Sequence, residues 1–204
     1  MARAASCGSR YALSFTSGSL LMHEALVAAS VHLHERSWEG VRRRLEAENL
    51  LQARTVATGQ RLAREITQRL ATLDDAELVL LVDSTASERG YILWAAACRR
   101  YRLIGEFAEE VLRERFLLLN PTLGHDEFDS FLRGKAIWHE EVAELKDSTL
   151  RKLRSNLFRM LTEAGLLSDA GEILPAVLSA RLTATLHFRK PSDIRFFPTA
   201  GGWQ

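Results

Sequence analysis

The chemistry that this chain offers is the donation of positive charge and hydrogen bonds from two helix faces. One face follows Thr58, which is placed to cap a helix, and consists of Gln60, Arg61, Arg64, Thr67 and Gln68. The other follows the helix cap at Asp147-Ser148 and consists of Ser148, Lys152, Ser155, Asn156 and Arg159, with Arg151 at its flank. Basic, hydroxyl and amide side chains are the types that donate to phosphates and base edges of DNA. Both faces are therefore candidate DNA-binding surfaces.

A simpler interpretation of each face is that its charges only solvate an exposed helix. Arg154 lies nearer the apolar side of the second helix, and we interpret it as structural. The segment after that helix favours the functional interpretation, because Leu166-Leu167 and Ile173-Leu174 flank an Asp-Ala-Gly turn and predict a small β-hairpin. A short helix, a turn, a basic-faced helix and a hairpin together form a winged helix-turn-helix, which places a helix in the DNA major groove.

Charge is segregated along the chain although the formal net charge is only +1. Residues 36–69 contain eight arginines and four glutamates, and residues 146–160 contain five basic residues and one aspartate. Residues 70–145, between these blocks, contain fifteen acidic and eight basic residues, and residues 181–197 are again basic, with a net charge of +3. The total excludes a protein that is basic throughout, whereas the pattern indicates local surfaces for a polyanion.

The sequence contains no constellation that indicates catalysis or metal binding. Phosphate-binding glycine motifs are absent, and the six histidines lack cysteine or carboxylate neighbours at ligand spacing. The pairs Glu109-Glu110 and Glu140-Glu141 are adjacent on helices, so their carboxylates diverge. Cys7 and Cys98 are predicted to be free thiols. We therefore expect a protein that is not an enzyme and that uses no metal or cofactor.

Apolar residues recur at intervals of three and four, which predicts a mainly α fold. Ser37 is placed to cap the second helix, and the apolar stripe of the C-terminal helix runs through Leu150, Leu153, Leu157, Leu161 and Ala164 to a stop at Gly165. We expect an N-terminal helical, helix-turn-helix-like part (residues 1–73), acidic linking helices (74–121), a C-terminal winged-helix part (122–190) and a tail (191–204).

Membrane insertion and secretion are not predicted. The longest aliphatic stretch, Leu78–Val82, is far shorter than the roughly 20 residues of a membrane-spanning helix. No apolar run of signal-peptide length precedes Tyr11, so we expect a cytoplasmic protein.

Several longer motifs resemble those of one family. They are Tyr11–Thr16 with Gly18, Glu48–Thr55, Arg64–Ile66 with Arg69–Leu70, Trp94 with Cys98–Arg100, Trp138, and the run from Asp147 to Leu167. Over nearly the whole chain they resemble the BrxA family, a small component of the bacterial BREX (bacteriophage exclusion) defence system. The resemblance implies a compact helical protein with helix-turn-helix-like parts that binds DNA in phage defence and carries no catalytic residues. It also implies other BREX proteins as partners, including a DNA methyltransferase, a phosphatase-like protein and ATPases.

These observations together predict a protein that binds double-stranded DNA without acting on it chemically. One alternative is a protein–protein adaptor, whose basic faces dock onto acidic partners in the defence complex. Another is an RNA-binding helical bundle. Salt-dependent retention of short duplexes separates DNA binding from the adaptor role, and competition by hairpin RNA tests the third hypothesis.

Overall fold

The computed structural model describes residues 10–15 and 18–199, and this part of the chain is mainly helical, as predicted. The helices are α1 (Met22–Glu35), α2 (Trp38–Ala47), α3 (Val56–Leu70), α4 (Asp75–Asp83), α5 (Ala86–Arg100), α6 (Arg102–Phe107), α7 (Glu114–Leu117), α8 (His125–Ala136), α9 (Glu140–Ala143), α10 (Asp147–Glu163) and α11 (Ala180–Phe188). A π-helical turn (Ala108–Arg113) joins α6 to α7, and a 3-10 turn (Asp193–Phe196) follows α11.

The N-terminal caps show how far local sequence determines where the helices begin. Ser37 caps α2 as predicted, since its hydroxyl accepts a hydrogen bond from the Gly40 N–H. The prediction that Asp147-Ser148 caps α10 is wrong, because α10 begins at Asp147 and its N-cap residue, Lys146, forms no side-chain cap bond. The prediction that Thr58 caps α3 is also wrong. Thr55 is the cap, and its Oγ1 accepts a bond of 3.2 Å from the Thr58 N–H, so α3 begins at Val56. Two threonines three residues apart offer alternative caps, and the extended backbone at Thr55 selects the earlier one.

The centre of the core is α5, which packs against α1, α3, α4, α6 and α10. Trp94 on α5 is fully buried, and its indole Nε1 donates a hydrogen bond of 2.9 Å to the Phe196 carbonyl. Phe107 is also fully buried, whereas Val111 and Phe116 are half-buried. The core therefore includes the chain just after α11, which closes over α5.

A buried ion-pair cluster joins the same C-terminal segment to α4 and α5. The Arg99 guanidinium donates to Asp193 at 2.7 Å and to Glu77 at 2.8 Å, and Arg189 also donates to Glu77. Burial opposes the ionisation of Glu77, but the bonds from Arg99, from the Asp74 backbone and from Arg189 outweigh it and hold the pKa of Glu77 below its ordinary value. Residues 193–197 are consequently part of the packed structure.

Cys98 is a buried free thiol, as predicted, and burial raises its pKa well above the ordinary value. Cys7 lies outside the described residues.

The predicted β-hairpin is reduced to two isolated antiparallel bridges, Leu167 with Ile173 and Thr122 with Glu172, and no longer strand forms among the described residues. The turn itself is present, with the Gly171 N–H bonded to the Ser168 carbonyl at 3.0 Å and Gly171 at φ +80°. Pairing stops quickly because Pro175 follows directly and a proline has no N–H to donate to a ladder. We call residues 166–174 the bridged loop.

The extended chain before α1 lies between the N-terminal and C-terminal helices, and we call its described residues, 11–15 and 18–21, the strap. The Phe15 carbonyl accepts a bond of 2.9 Å from the Asn156 amide, and the Leu20 N–H donates to Glu163 at 2.6 Å, both residues of α10. From the other side, Arg69 of α3 donates to the Ser19 carbonyl at 2.7 Å. The strap thereby fixes α3 relative to α10.

The apolar stripe of α10 is confirmed, since Leu153, Leu157, Leu161 and Ala164 are buried and Leu150 is half-buried. The helix stops at Gly165, whose φ of +70° is the left-handed conformation that favours glycine.

We predict that Leu157→Ala lowers the free energy of unfolding by roughly 2 to 5 kcal/mol, because Leu157 is only 1% exposed and its truncation leaves a cavity in the core. Urea unfolding followed by circular dichroism measures this loss. Lys152→Ala on the opposite side of the same helix is the control, with an expected change within about 0.5 kcal/mol. Equal stabilities of the two variants would show that the buried side of α10 is wrongly assigned.

Candidate nucleic-acid interface

The outward face of α10 presents four of the predicted residues to solvent. They are Ser148, Lys152, Ser155 and Arg159, all exposed. Lys152 and Arg159 are seven residues apart, which is about two turns and 10 Å along one side of the helix. Within the described part of the chain, neither side chain forms an ion pair or a hydrogen bond. This face is therefore a row of free donors.

Asn156, also predicted to contact DNA, is half-buried beneath the strap. Its Nδ2 donates to the Phe15 carbonyl, and a Cβ placed at Gly18 would lie only 2.3 Å from its Oδ1. Only glycine lets the strap pass this close to the Asn156 side chain. The amide thus binds the chain's own backbone, a long-range contact that the helical spacing of α10 gives no means of predicting.

Arg151 lies at the flank of the face, as predicted, and lines a cavity that α10 shares with α8 and α9. Arg154 forms an ion pair of 2.6 Å with Asp129 of α8, in agreement with its interpretation as structural. Lys152 and Arg159 therefore lie on the outward face of α10, whereas Arg151 and Arg154 lie on the side that faces α8.

The face on α3 retains Gln60, Arg61, Arg64 and Gln68 as exposed residues. Thr67, which the sequence also places on this face, is only 3% exposed, and its hydroxyl donates to the Ala63 carbonyl at 2.7 Å. The assignment of Thr67 to the outward face was wrong, because threonine on a helix readily bonds the carbonyl four residues earlier.

Arg42 and Arg43 on α2 extend the α3 face, and the sequence analysis missed them. With Gln60 and Arg64 they line a polar cavity of about 600 Å³, which Glu39 and Glu46 also border. Arg42 has no ion pair, whereas Arg43 contacts Glu39 at 3.3 Å across the exposed helix surface. The sequence signal for both residues is the arginine-rich block of residues 36–69, which contains them.

The cations of both faces differ from most other cations of the described chain in having no carboxylate partner. Arg61, Arg64, Arg151, Lys152 and Arg159 form no ion pair within residues 10–15 and 18–199. By contrast, many of the cations packed around the acidic middle are paired, including Arg99, Arg102, Arg115, Lys135 and Arg181. An external anion can therefore bind the two faces without displacing an internal carboxylate.

A chain of contacts links the two faces across the strap. Gln68 on α3 accepts a bond of 3.0 Å from Arg100, whose guanidinium lies 5.4 Å from the centre of the Tyr101 ring. Tyr101 packs on Phe15 at 5.3 Å between ring centres, and Phe15 accepts the bond from Asn156. Gln68 of α3 and Asn156 of α10 are thus connected through Arg100, Tyr101 and Phe15 of the strap.

Arg159 also borders a cavity of about 480 Å³ between the start of α8 and the bridged loop. His125 contacts Phe158 edge-on in its wall, with the ring centres 4.8 Å apart, and the turn of the bridged loop forms the opposite side. The bridged loop thus flanks the basic face of α10.

Within the described chain, no group of three histidine, cysteine or acidic side chains is arranged to hold a metal ion. None of its helices combines the length and apolar character needed to cross a membrane.

Comparison with known proteins places these features in a family context. A family model described as BrxA matches residues 9–190. The chain is 27% identical over 161 residues to a BREX protein BrxA of Paramagnetospirillum magneticum, covering 79% of this chain and 81% of that protein. It is 27% identical over 148 residues to a BREX protein BrxA of Escherichia coli, covering 72% and 70%. Among solved structures, an uncharacterized protein from Magnetospirillum magneticum has a TM-score of 0.74 at 22% identity, with 90% of this chain and 95% of that chain covered, and therefore shares the fold.

We predict that Asn156→Ala destabilises the protein by roughly 1 to 3 kcal/mol, because it leaves the Phe15 carbonyl without its donor. Thermal or urea unfolding provides the measurement, and Ser155→Ala on the exposed neighbouring position is the control with little expected change. Undiminished stability of Asn156→Ala together with weakened DNA binding would return Asn156 to the DNA-contacting set.

Proposed function

The chain belongs to the BrxA family, and from this premise we propose that it binds double-stranded DNA, without chemistry of its own, as a component of BREX antiphage defence. The relatives named as BREX proteins support the role in defence. The DNA-binding part of the proposal is carried by one observation, the row of unpaired donors on the outward face of α10.

The spacing on α10 suits a duplex. Lys152 and Arg159, about 10 Å apart, reach two separate phosphates or one phosphate and one base edge. Ser148 and Ser155 lie on the same exposed face and add hydroxyl donors. An α-helix fits the major groove, which is about 12 Å wide, so we assign α10 as the helix that enters it.

The surroundings of α10 support a winged helix-turn-helix. The short helices α8 and α9 precede it, and the bridged loop follows it and borders the same cavity as Arg159. In this arrangement the loop takes the place of the wing and lies along the DNA backbone, although its pairing is limited to isolated bridges.

The α3 face provides a second contact surface. Arg61 and Arg64 are exposed and unpaired, Gln60 and Gln68 add amide groups, and Arg42 adds a cation from across the cavity. Because contacts through Arg100, Tyr101 and Phe15 connect Gln68 of the α3 face to Asn156 of α10, we propose that one duplex contacts both faces. The excess of acidic residues in 70–145 repels phosphates and so disfavours binding of the duplex to the surface of that segment.

We propose that DNA binding occurs without turnover, since the motifs for nucleotide hydrolysis are absent from the sequence and Cys98 is buried with a raised pKa. We also propose a cytoplasmic location and contact with other BREX proteins, namely the methyltransferase, the phosphatase-like protein and the ATPases that the family resemblance implies.

We predict that the double variant Lys152→Ala with Arg159→Ala folds normally but binds every duplex more weakly. If both side chains neutralise phosphates, the slope of log affinity against log salt concentration becomes shallower by about 1.8, twice the 0.9 expected for each contact on B-form DNA. Fluorescence anisotropy with a labelled duplex over a series of salt concentrations measures affinity and slope together.

The matched control removes two exposed, unpaired cations outside both faces, Arg133→Ala with Lys190→Ala, and should leave the slope close to that of the wild type. The pair Arg61→Ala with Arg64→Ala tests the α3 face in the same assay. An unchanged slope in a folded Lys152/Arg159 variant would remove α10 from the DNA surface. Tighter binding of hairpin RNA than of duplex DNA would replace the DNA proposal with the RNA-binding one.

A further inference from the structure

The side of α10 that faces α8 and α9 forms a cleft with an apolar floor, next to the candidate DNA surface, whose flanking residue Arg151 lines it. Its volume is about 480 Å³, within the range of cavities that hold ligands or partner side chains. Aliphatic residues of all three helices and of their connections line it: Leu132, Ala136, Val142, Ala143, Leu145 and Leu150.

Cations mark the edge of this cleft. Arg133 of α8 and Arg151 of α10 are exposed, line the cleft and form no ion pair. Arg154 also lines it but is held by Asp129, and Asp147 is the other carboxylate in the wall. The cleft therefore offers two free guanidinium groups, which bind carboxylates through paired hydrogen bonds.

Two large exposed apolar side chains follow the cleft-lining end of α8 in sequence, although neither of them lines the cleft. Ile137 and Trp138 directly follow Ala136 in its wall and are 73% and 83% exposed. Contiguous exposed apolar residues of this size are typical of docking sites, and tryptophan and arginine are enriched among the residues that contribute most binding energy.

We propose that this cleft binds an acidic, amphipathic peptide segment of another protein. Large apolar side chains of the segment would fill the space between Leu132, Val142 and Leu150, and its carboxylates would pair with Arg133 and Arg151. The segment carries carboxylates because the cations without partners lie at the rim of the cleft. It also carries apolar side chains because the floor of the cleft is mainly aliphatic.

The proposal goes beyond DNA binding and does not depend on it. Arg151 and Lys152 are adjacent on α10 and therefore point about 100° apart, so one borders the cleft and the other lies on the DNA face. A protein segment in the cleft and a duplex on the outward face can then be bound at the same time. The cleft would attach the DNA-binding protein to a partner.

The test uses a displayed library of random peptides of about 14 residues, four helical turns, selected on the full-length protein. Ala143→Trp serves for counter-selection, because Ala143 is exposed and a tryptophan there fills the cleft without disturbing the core. Selected peptides should combine aspartate or glutamate with large apolar residues. Synthetic versions should bind the double variant Arg133→Glu with Arg151→Glu at least about ten-fold more weakly in fluorescence anisotropy, because like charges face each other.

Lys152→Glu is the matched control and should bind the peptides as the wild type does, with folding of every variant checked by circular dichroism. Three results would overturn the proposal: no peptide that distinguishes the wild type from Ala143→Trp, selected peptides without carboxylates, or unchanged affinity in the arginine variant. Concentration-dependent self-association abolished by Ala143→Trp, measured by sedimentation, would assign the cleft to a second copy of the chain instead. None of these outcomes depends on whether the protein binds DNA.

Discussion

The hydrogen bonds to the strap are the constraint on which the arrangement of both candidate surfaces depends. An extended segment makes no helical hydrogen bonds, so the backbone groups that it buries need partners from elsewhere. Asn156 and Glu163 of α10 supply them on one side, and Arg69 of α3 supplies one on the other. The strap, together with α5, against which both helices pack, thus fixes the relative position of α3 and α10, which are far apart in sequence.

Buried cations, like buried backbone groups, need partners, and this distinguishes them from the exposed cations. Arg69 is fully buried and forms an ion pair of 2.8 Å with Glu65, which also accepts a hydrogen bond from the Tyr101 hydroxyl. Burial and that bond to Glu65 raise the pKa of Tyr101 to about 12, so the hydroxyl stays a donor at physiological pH. Charge on the inner side of α3 is compensated, whereas Arg61 and Arg64 on its outer side are not. The free cations are therefore the ones available to a ligand.

Periodicity alone was sufficient to predict the helical class, the buried stripe of α10 and the stop at Gly165, because these depend on residues within a few positions of one another. It also identified exposed donors such as Lys152 and Arg159. Periodicity could not predict features that depend on contacts between residues distant in sequence. The involvement of Asn156 with Phe15 joins positions 141 residues apart, and the approach of Arg42 to Arg64 requires the packing of α2 on α3.

The predicted cap of α3 and the predicted hairpin were wrong although both depend on residues close together in sequence. Thr55 and Thr58 are equally suitable caps by residue type, and the choice between them depends on the backbone entering α3. The bridged loop has a hairpin turn, but Pro175 ends its pairing, and part of its hydrogen bonding goes instead to the chain around Pro121 and Leu123. In both cases the local sequence is compatible with more than one structure, and contacts with the rest of the protein determine which one forms.

The central claim is that the outward faces of α10 and α3 form a surface for duplex DNA. The most direct test is to follow the backbone amide chemical shifts of the isotopically labelled protein while a short DNA duplex is added. The account predicts the largest shift changes in residues 148–159 of α10 and 60–68 of α3, with little change around Ala143 in the cleft. Changes centred on the cleft, or none at duplex concentrations that saturate binding, would contradict it.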